Sequence, residues 1–79
     1  MAKGGLNLIG SRVKSARNAA QPSLTQEELA RKLAELGVPI DRAGVAKIET
    51  GIRRVLDYEL LAFANALNVK VTWLLGVKE

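Results

Sequence analysis

Apolar residues recur at helical spacing in five segments of the chain, and each segment is bounded by polar, glycine or proline positions. The first predicted helix covers residues 8–20. Ile9, Val13, Ala16 and Ala20 form its apolar stripe, while Arg12, Lys14 and Arg17 point in other directions, and Gln21-Pro22-Ser23 stops it. The second opens at Thr25, whose hydroxyl caps free amides while Glu28, three residues on, completes a capping box. Leu24 is placed to pack on Leu29 as a hydrophobic staple, Leu29, Leu33 and Leu36 continue the face, and Gly37 supplies the left-handed stop. After the linker Val38-Pro39-Ile40, Asp41 caps a third helix over residues 42–50 that buries Val45 and Ile48, exposes Arg42, Ala43, Ala46 and Lys47, and ends at Gly51. Gly44 lowers the intrinsic stability of this helix by roughly 1 kcal/mol relative to Ala, so it depends on tertiary packing. A loop over residues 52–56 carries Arg53 and Arg54. The fourth helix, residues 57–67, presents Leu60, Leu61, Ala64 and Leu67 as its buried face, with Asn68 as a left-handed cap. Residues 71–76 form a short fifth helix with Trp73 and Leu74. Residues 1–7 are expected to be flexible, with 1–5 frayed.

Composition narrows this picture to one all-α domain over residues 1–79. A chain of 79 residues has room for one modest core, and a hydrophobic content of 48% is too high for a disordered chain. With Tyr58, Phe63 and Trp73 as the aromatics, the core must come mainly from Leu, Ile, Val and Ala. Cysteine and histidine are absent, which removes disulfides, the usual zinc ligands, the commonest general base and the thiol nucleophile. No apolar run approaches the roughly 20 residues of a membrane span, and no signal-peptide core is present, so a cytoplasmic location is expected.

The net charge is +4, and its distribution matters more than its sum. No acidic residue precedes Glu27, whereas Lys3, Arg12, Lys14 and Arg17 do, and Arg53-Arg54 form a second basic cluster. Two such patches flank one DNA groove if folding brings them to the same side. Two short helices joined by a short link, the second exposing basic and small side chains, are the parts of a helix-turn-helix. Small Ala43, Gly44 and Ala46 would let that helix approach the groove floor, and Arg42 and Lys47 would then reach base edges, with guanine the natural acceptor. Taken alone, the same helix reads equally well as a solvated surface element.

Four stretches in order settle that choice by resemblance. These are Arg12-Val13-Lys14-Ser15-Ala16-Arg17, then Leu24-Thr25-Gln26-Glu27-Glu28-Leu29-Ala30, then Val45-Ala46-Lys47-Ile48-Glu49-Thr50-Gly51, and finally residues 60–67 with Val71-Thr72-Trp73-Leu74-Leu75-Gly76. From residue 9 to 76 the chain resembles the Cro/CI, or XRE, family of phage-repressor-type helix-turn-helix DNA-binding domains. The resemblance implies a compact five-helix lambda-repressor-like domain with the helix-turn-helix in its second and third helices. It implies that Arg42, Ala43, Gly44 and Lys47 face bases in the major groove, Gly44 at a position where the family commonly has a small hydroxyl residue. It implies that Gln26 binds a phosphate and braces the recognition helix, and that Arg53 and Arg54 contact the backbone. Arg17 and Glu49 match a partly buried family salt bridge, with Arg17 also leaning on a phosphate. Arg12 is a further phosphate candidate. The links at residues 21–23 and 36–41 are longer than the family's usual turns.

These readings lead to one expected function and one alternative. The first is a sequence-specific regulator of transcription, bacterial or phage-encoded, a repressor on a near-palindromic operator, acting as a homodimer on double-stranded DNA in the cytoplasm and nucleoid-associated when bound. The second is an antitoxin or other protein-partner module on the same fold. The basic face over residues 42–54 favours the first. No cofactor, metal or catalytic residue is expected, because carboxylates are scattered and no glycine-rich phosphate loop precedes a helix. Trp73, Leu74, Leu60 and Phe63 read as core, with a dimer interface near the last helix as the competing role.

Overall fold

The computed structural model describes residues 5–78. It contains five helices in this order: α1 (Gly10–Ala19), α2 (Gln26–Glu35), α3 (Arg42–Glu49), α4 (Asp57–Leu67) and α5 (Val71–Leu75). The expected frayed start falls largely on residues 1–4, Lys3 among them, which lie outside the described residues.

Local signals set most boundaries. The Thr25 hydroxyl accepts from the Glu28 amide at 3.0 Å, and the Glu28 carboxylate accepts from the Thr25 amide at 2.8 Å. Asp41 accepts from the Gly44 amide at 2.8 Å and starts α3. Gly37, Gly51 and Asn68 all take positive φ, at 82°, 82° and 56°. After α2 the chain closes with Val38 N–H donating to Leu33 O at 2.9 Å and Gly37 N–H to Ala34 O at 3.0 Å, the pair of bonds that uses up the last carbonyls of a helix. That turn also buries Val38 and, two residues on, Ile40. The long α2–α3 link is therefore pinned to the core at two points rather than draped over the surface.

Every helix contributes to one core: Val13 from α1, Leu29 and Leu33 from α2, Val45 and Ile48 from α3, Phe63 from α4 and Leu74 from α5 are fully buried. α3 packs against α1 and α2, while α4 packs against α1, α2 and α5.

Four expectations are corrected. First, α1 begins at Gly10 rather than at residue 8, and the Asn7 side chain satisfies the amides of Ile9 and Gly10 at that start. The expected flexible start does not extend to residues 6 and 7, since Leu6 N–H also donates to Gly51 O at 2.9 Å. Second, α1, α3 and α5 end one residue earlier than expected, with Ala20, Thr50 and Gly76 as caps, and Leu36, the cap residue after α2, is exposed rather than part of its buried face. Third, Leu61 is 63% exposed and Leu60 only half-buried. Ala64 and Leu67 are buried as expected, but the other inward positions of α4 are taken by Glu59, Ala62 and Phe63. Fourth, Trp73 is not core. It is 39% exposed, and the Arg12 guanidinium lies over its ring at 5.0 Å from the centroid.

Candidate nucleic-acid interface

Glu49, at the end of α3, joins three helices. Its Oε2 accepts from Arg17 Nε at 2.7 Å, and its Oε1 accepts from Arg17 Nη2 at 3.1 Å and from Gln26 Nε2 at 3.0 Å. Arg17 Nη1 also donates to the Leu24 carbonyl at 2.9 Å, just ahead of α2. The Arg17 side chain is 11% exposed and that of Glu49 3%. The Glu49 hydrogen bond, more than its Coulomb attraction, drives the Arg17 pKa further up against the cost of burial. A carboxylate only accepts, so the amide nitrogen of Gln26 must face it. Its second N–H is then left for another acceptor at the start of α2, where helix amides also lack intrahelical partners.

On the other side of α3, Val45 and Ile48 fill the core. Arg42, Ala43 and Lys47 are exposed, and Ala46 is half-buried. Gly44 is oriented inward: a Cβ there would come within 2.8 Å of Ile40 Cγ2 and 3.2 Å of Asp41 Oδ1. Its missing side chain makes room for the linker and the cap.

The loop after α3 is held by Glu59. This carboxylate, only 5% exposed, accepts from the Leu56 amide at 2.9 Å and from Arg53 Nη2 at 3.2 Å. Arg53 Nη1 also donates to the Arg54 carbonyl at 3.3 Å. Arg53 is thus tied back to α4, while Arg54 is exposed. Among the described residues, none of Arg42, Lys47 and Arg54 has a carboxylate partner. Arg12 sits two residues from Gly10, on the far side of α1 from the contact with α3, and is engaged with Trp73. Lys14 is exposed.

The arrangement brings Gln26, Arg17 and Glu49 together and attaches the face carrying Arg42, Ala43 and Lys47 to them; Arg12 lies apart. Two positioning residues were missed by sequence reasoning. Glu59 had a readable signal, since it stands three residues after the pre-helix residue Leu56, where a glutamate reaches back to an open amide. Asn7 had one as well, an amide side chain just ahead of the apolar stripe that starts at Ile9.

Among the described residues no helix is long and apolar enough to cross a membrane. The helix-turn-helix family HTH_3 matches residues 13–74. No curated protein matches the chain. Among solved structures, the restriction-modification controller protein C.AhdI from Aeromonas hydrophila matches with a TM-score of 0.69 and 33% sequence identity, over 84% of this chain and 86% of that one. The fold and the match over most of its length agree, and the chain belongs to the HTH_3, XRE-type, helix-turn-helix family of DNA-binding domains.

Proposed function

We propose that this protein is a sequence-specific regulator of transcription, a repressor that binds a near-palindromic operator as a dimer and reads the major groove with residues 42–50. The observation that carries this reading is the three-helix clamp on Glu49: it fixes α3 against α1 and α2 while the Arg42, Ala43 and Lys47 face stays open and its cations unpaired. A helix held this rigidly presents its side chains in one register, as base reading requires. Arg42 and Lys47 are assigned to base edges and Ala43 to close apolar contact, while Gly44, expected among the base-facing positions, faces Ile40 and Asp41 and supports the helix from within. Gln26 donates its remaining amide hydrogen to a phosphate, with Arg17 behind it. Arg53 and Arg54 take the phosphates beyond the recognition helix, Arg54 carrying most of the free charge. The likeness to a controller protein supports a regulatory role. Such a role puts the protein with cellular DNA, in the cytoplasm of a bacterium or a phage host.

The dimer belongs to the same proposal. With Phe63 and Leu74 fully buried, the large apolar side chains left exposed at the last helix are Trp73, which borders Ala16, Ala20, Leu67 and Val69, and Val77 just beyond it. Sedimentation equilibrium with and without the operator reads this directly: a monomer on a single half-site removes the dimer.

The experiment that tests the function is selection of bound sequences from a random double-stranded pool at stated salt, since salt sets the non-specific background. The expected result is an enriched sequence with two-fold symmetry. A pool that stays unenriched, with binding lost at moderate salt, overturns sequence-specific regulation and leaves the protein-partner module as the better reading.

A further inference from the structure

Asn7 uses its whole side-chain amide. Oδ1 accepts from the amides of Ile9 at 3.0 Å and Gly10 at 2.8 Å, at the start of α1. Nδ2 donates to the carbonyl of Ile48 at 3.1 Å, in the last turn of α3, and to the carbonyl of Arg53 at 2.8 Å, in the basic loop. The amide's orientation follows from its partners: two backbone N–H groups need an acceptor and two carbonyls need donors. One side chain forty-odd residues away in sequence from the loop thus links the start of α1, the end of the recognition helix and the segment that presents Arg53 and Arg54.

The backbone around Asn7 reinforces this link. Leu6 N–H donates to Gly51 O at 2.9 Å. Gly10, with no Cβ, lets α1 seat directly on the carbonyls of Ile48 and Glu49, where any side chain would collide.

We propose that Asn7 is a positioning residue for DNA binding: its Nδ2 hydrogens set the Arg53-Arg54 loop relative to the recognition helix, so that base and phosphate contacts are made in one register. The proposal rests on the DNA-binding reading above. Without the tie, the loop keeps its Glu59 link to α4 but loses its side-chain link to the end of the recognition helix, and the cost of fixing that relation falls on the specific complex. Non-specific binding needs only positive charge near phosphates and is largely spared.

Asn7→Ser tests this, because a serine oxygen still accepts from the amides at the start of α1 but offers no pair of amide hydrogens to the two carbonyls. Asn7→Thr is the second variant, should the first fail to fold. Both are neutral, so the electrostatic field is unchanged. Affinity is measured well below the melting temperature, on the selected operator and on scrambled DNA. The operator affinity should fall about five- to tenfold for each variant, the scale of one or two net hydrogen bonds. Affinity for scrambled DNA should stay within about twofold. Leu74→Val, a core change in α5, is the control for lost stability, and should lower the melting temperature while keeping the ratio of operator to scrambled affinity. If wild-type protein selects an operator and the Asn7 variants keep its ratio, the positioning role is overturned alone. If the ratio falls as far in Leu74→Val, the effect is one of stability and the role is again overturned. If wild-type protein selects no sequence, the DNA reading fails first and the role of Asn7 in binding fails with it.

Discussion

The two oxygens of Glu49 serve an arginine from one helix and a glutamine from another, so the partners of this clamp are not equivalent. Arg17→Ala would leave a carboxylate that is 3% exposed with only the Gln26 amide to answer it. Glu49→Ala would leave a guanidinium that keeps the Leu24 carbonyl and, at 11% exposure, has a shorter path to water. Breaking a buried pair from one side costs about 3–5 kcal/mol when the remaining charge has no alternative. Arg17→Ala is expected near that range, and Glu49→Ala below it, in urea unfolding at neutral pH. The reverse order would mean that the carboxylate is better served by Gln26 than the geometry indicates. The sign of the pH dependence follows from the same pair. Because the Arg17 pKa is raised, its stabilising charge is present at all pH values below the ordinary arginine value and is lost only far on the alkaline side, so this cation contributes no slope near neutrality. A contact spanning 32 positions of sequence leaves no trace in helical periodicity. It became legible only through resemblance to a family, whereas the third member of the clamp, the Gln26 to Glu49 bond, gives physical form to a bracing role that the resemblance implied without naming its partner.

Helix starts and stops were legible because their chemistry is local. Thr25 with Glu28, Asp41 with Gly44, and Gly37, Gly51 and Asn68 at positive φ all satisfy backbone groups within a few residues. The inward face of α4 was legible only in part, because Glu59 looks like a surface residue until Arg53 and the Leu56 amide are placed around it. At Gly44 local propensity and tertiary packing point in opposite directions. As a helix interior glycine it counts as a loss of roughly 1 kcal/mol against alanine, which suggests Gly44→Ala as a stabilising change. The structure argues the opposite: the new methyl would come within 2.8 Å of Ile40 Cγ2, a branched and buried side chain with little freedom to retreat, and would crowd the capping oxygen of Asp41 at 3.2 Å. Gly44→Ala is expected to lower stability by about 1 kcal/mol or more, since overpacking of this kind outweighs the propensity gain; a raised melting temperature would show that the linker yields. The α2 cap makes a second prediction at this scale. The Thr25 amide, then its hydroxyl, hold the Glu28 carboxyl below its ordinary value of 4.5. A depressed carboxylate stabilises the fold fully above that ordinary value and loses the contribution as pH falls through the lower folded value. Glu28→Gln keeps a capping group, so near pH 7 its melting temperature should stay close to that of the parent, while the acid-side decline should be shallower. Parallel melting curves for both proteins down to acidic pH would remove Glu28 from that decline.

Across the whole molecule the net charge of +4 matters less than which charges remain unpaired. Glu49 engages Arg17 and Glu59 engages Arg53, so two of the carboxylates nearest the candidate interface are already matched. Arg42 and Lys47 on α3 and Arg54 beyond it are the cations left exposed there. Their loss should therefore be read out differently, because base contacts specify and phosphate contacts position. Lys47→Ala is expected to cost about 1–3 kcal/mol on the selected operator and to relax preference at a single base position, with the salt dependence changed little. Arg54→Ala should weaken operator and scrambled DNA alike and reduce the slope of log affinity against log salt by about 1, the signature of one fewer neutralised phosphate. Arg53→Ala should combine the phosphate effect with lost stability, since Glu59 would then remain buried with only the Leu56 amide. These three variants separate reading, neutralising and bracing with one titration series across salt and one melting curve each. Equal loss on every sequence for Lys47→Ala would take it out of the bases, and an unchanged salt slope for Arg54→Ala would take it off the phosphates. A melting temperature for Arg53→Ala that matches Arg54→Ala would mean that the link from the loop to α4 adds nothing to the stability of the fold.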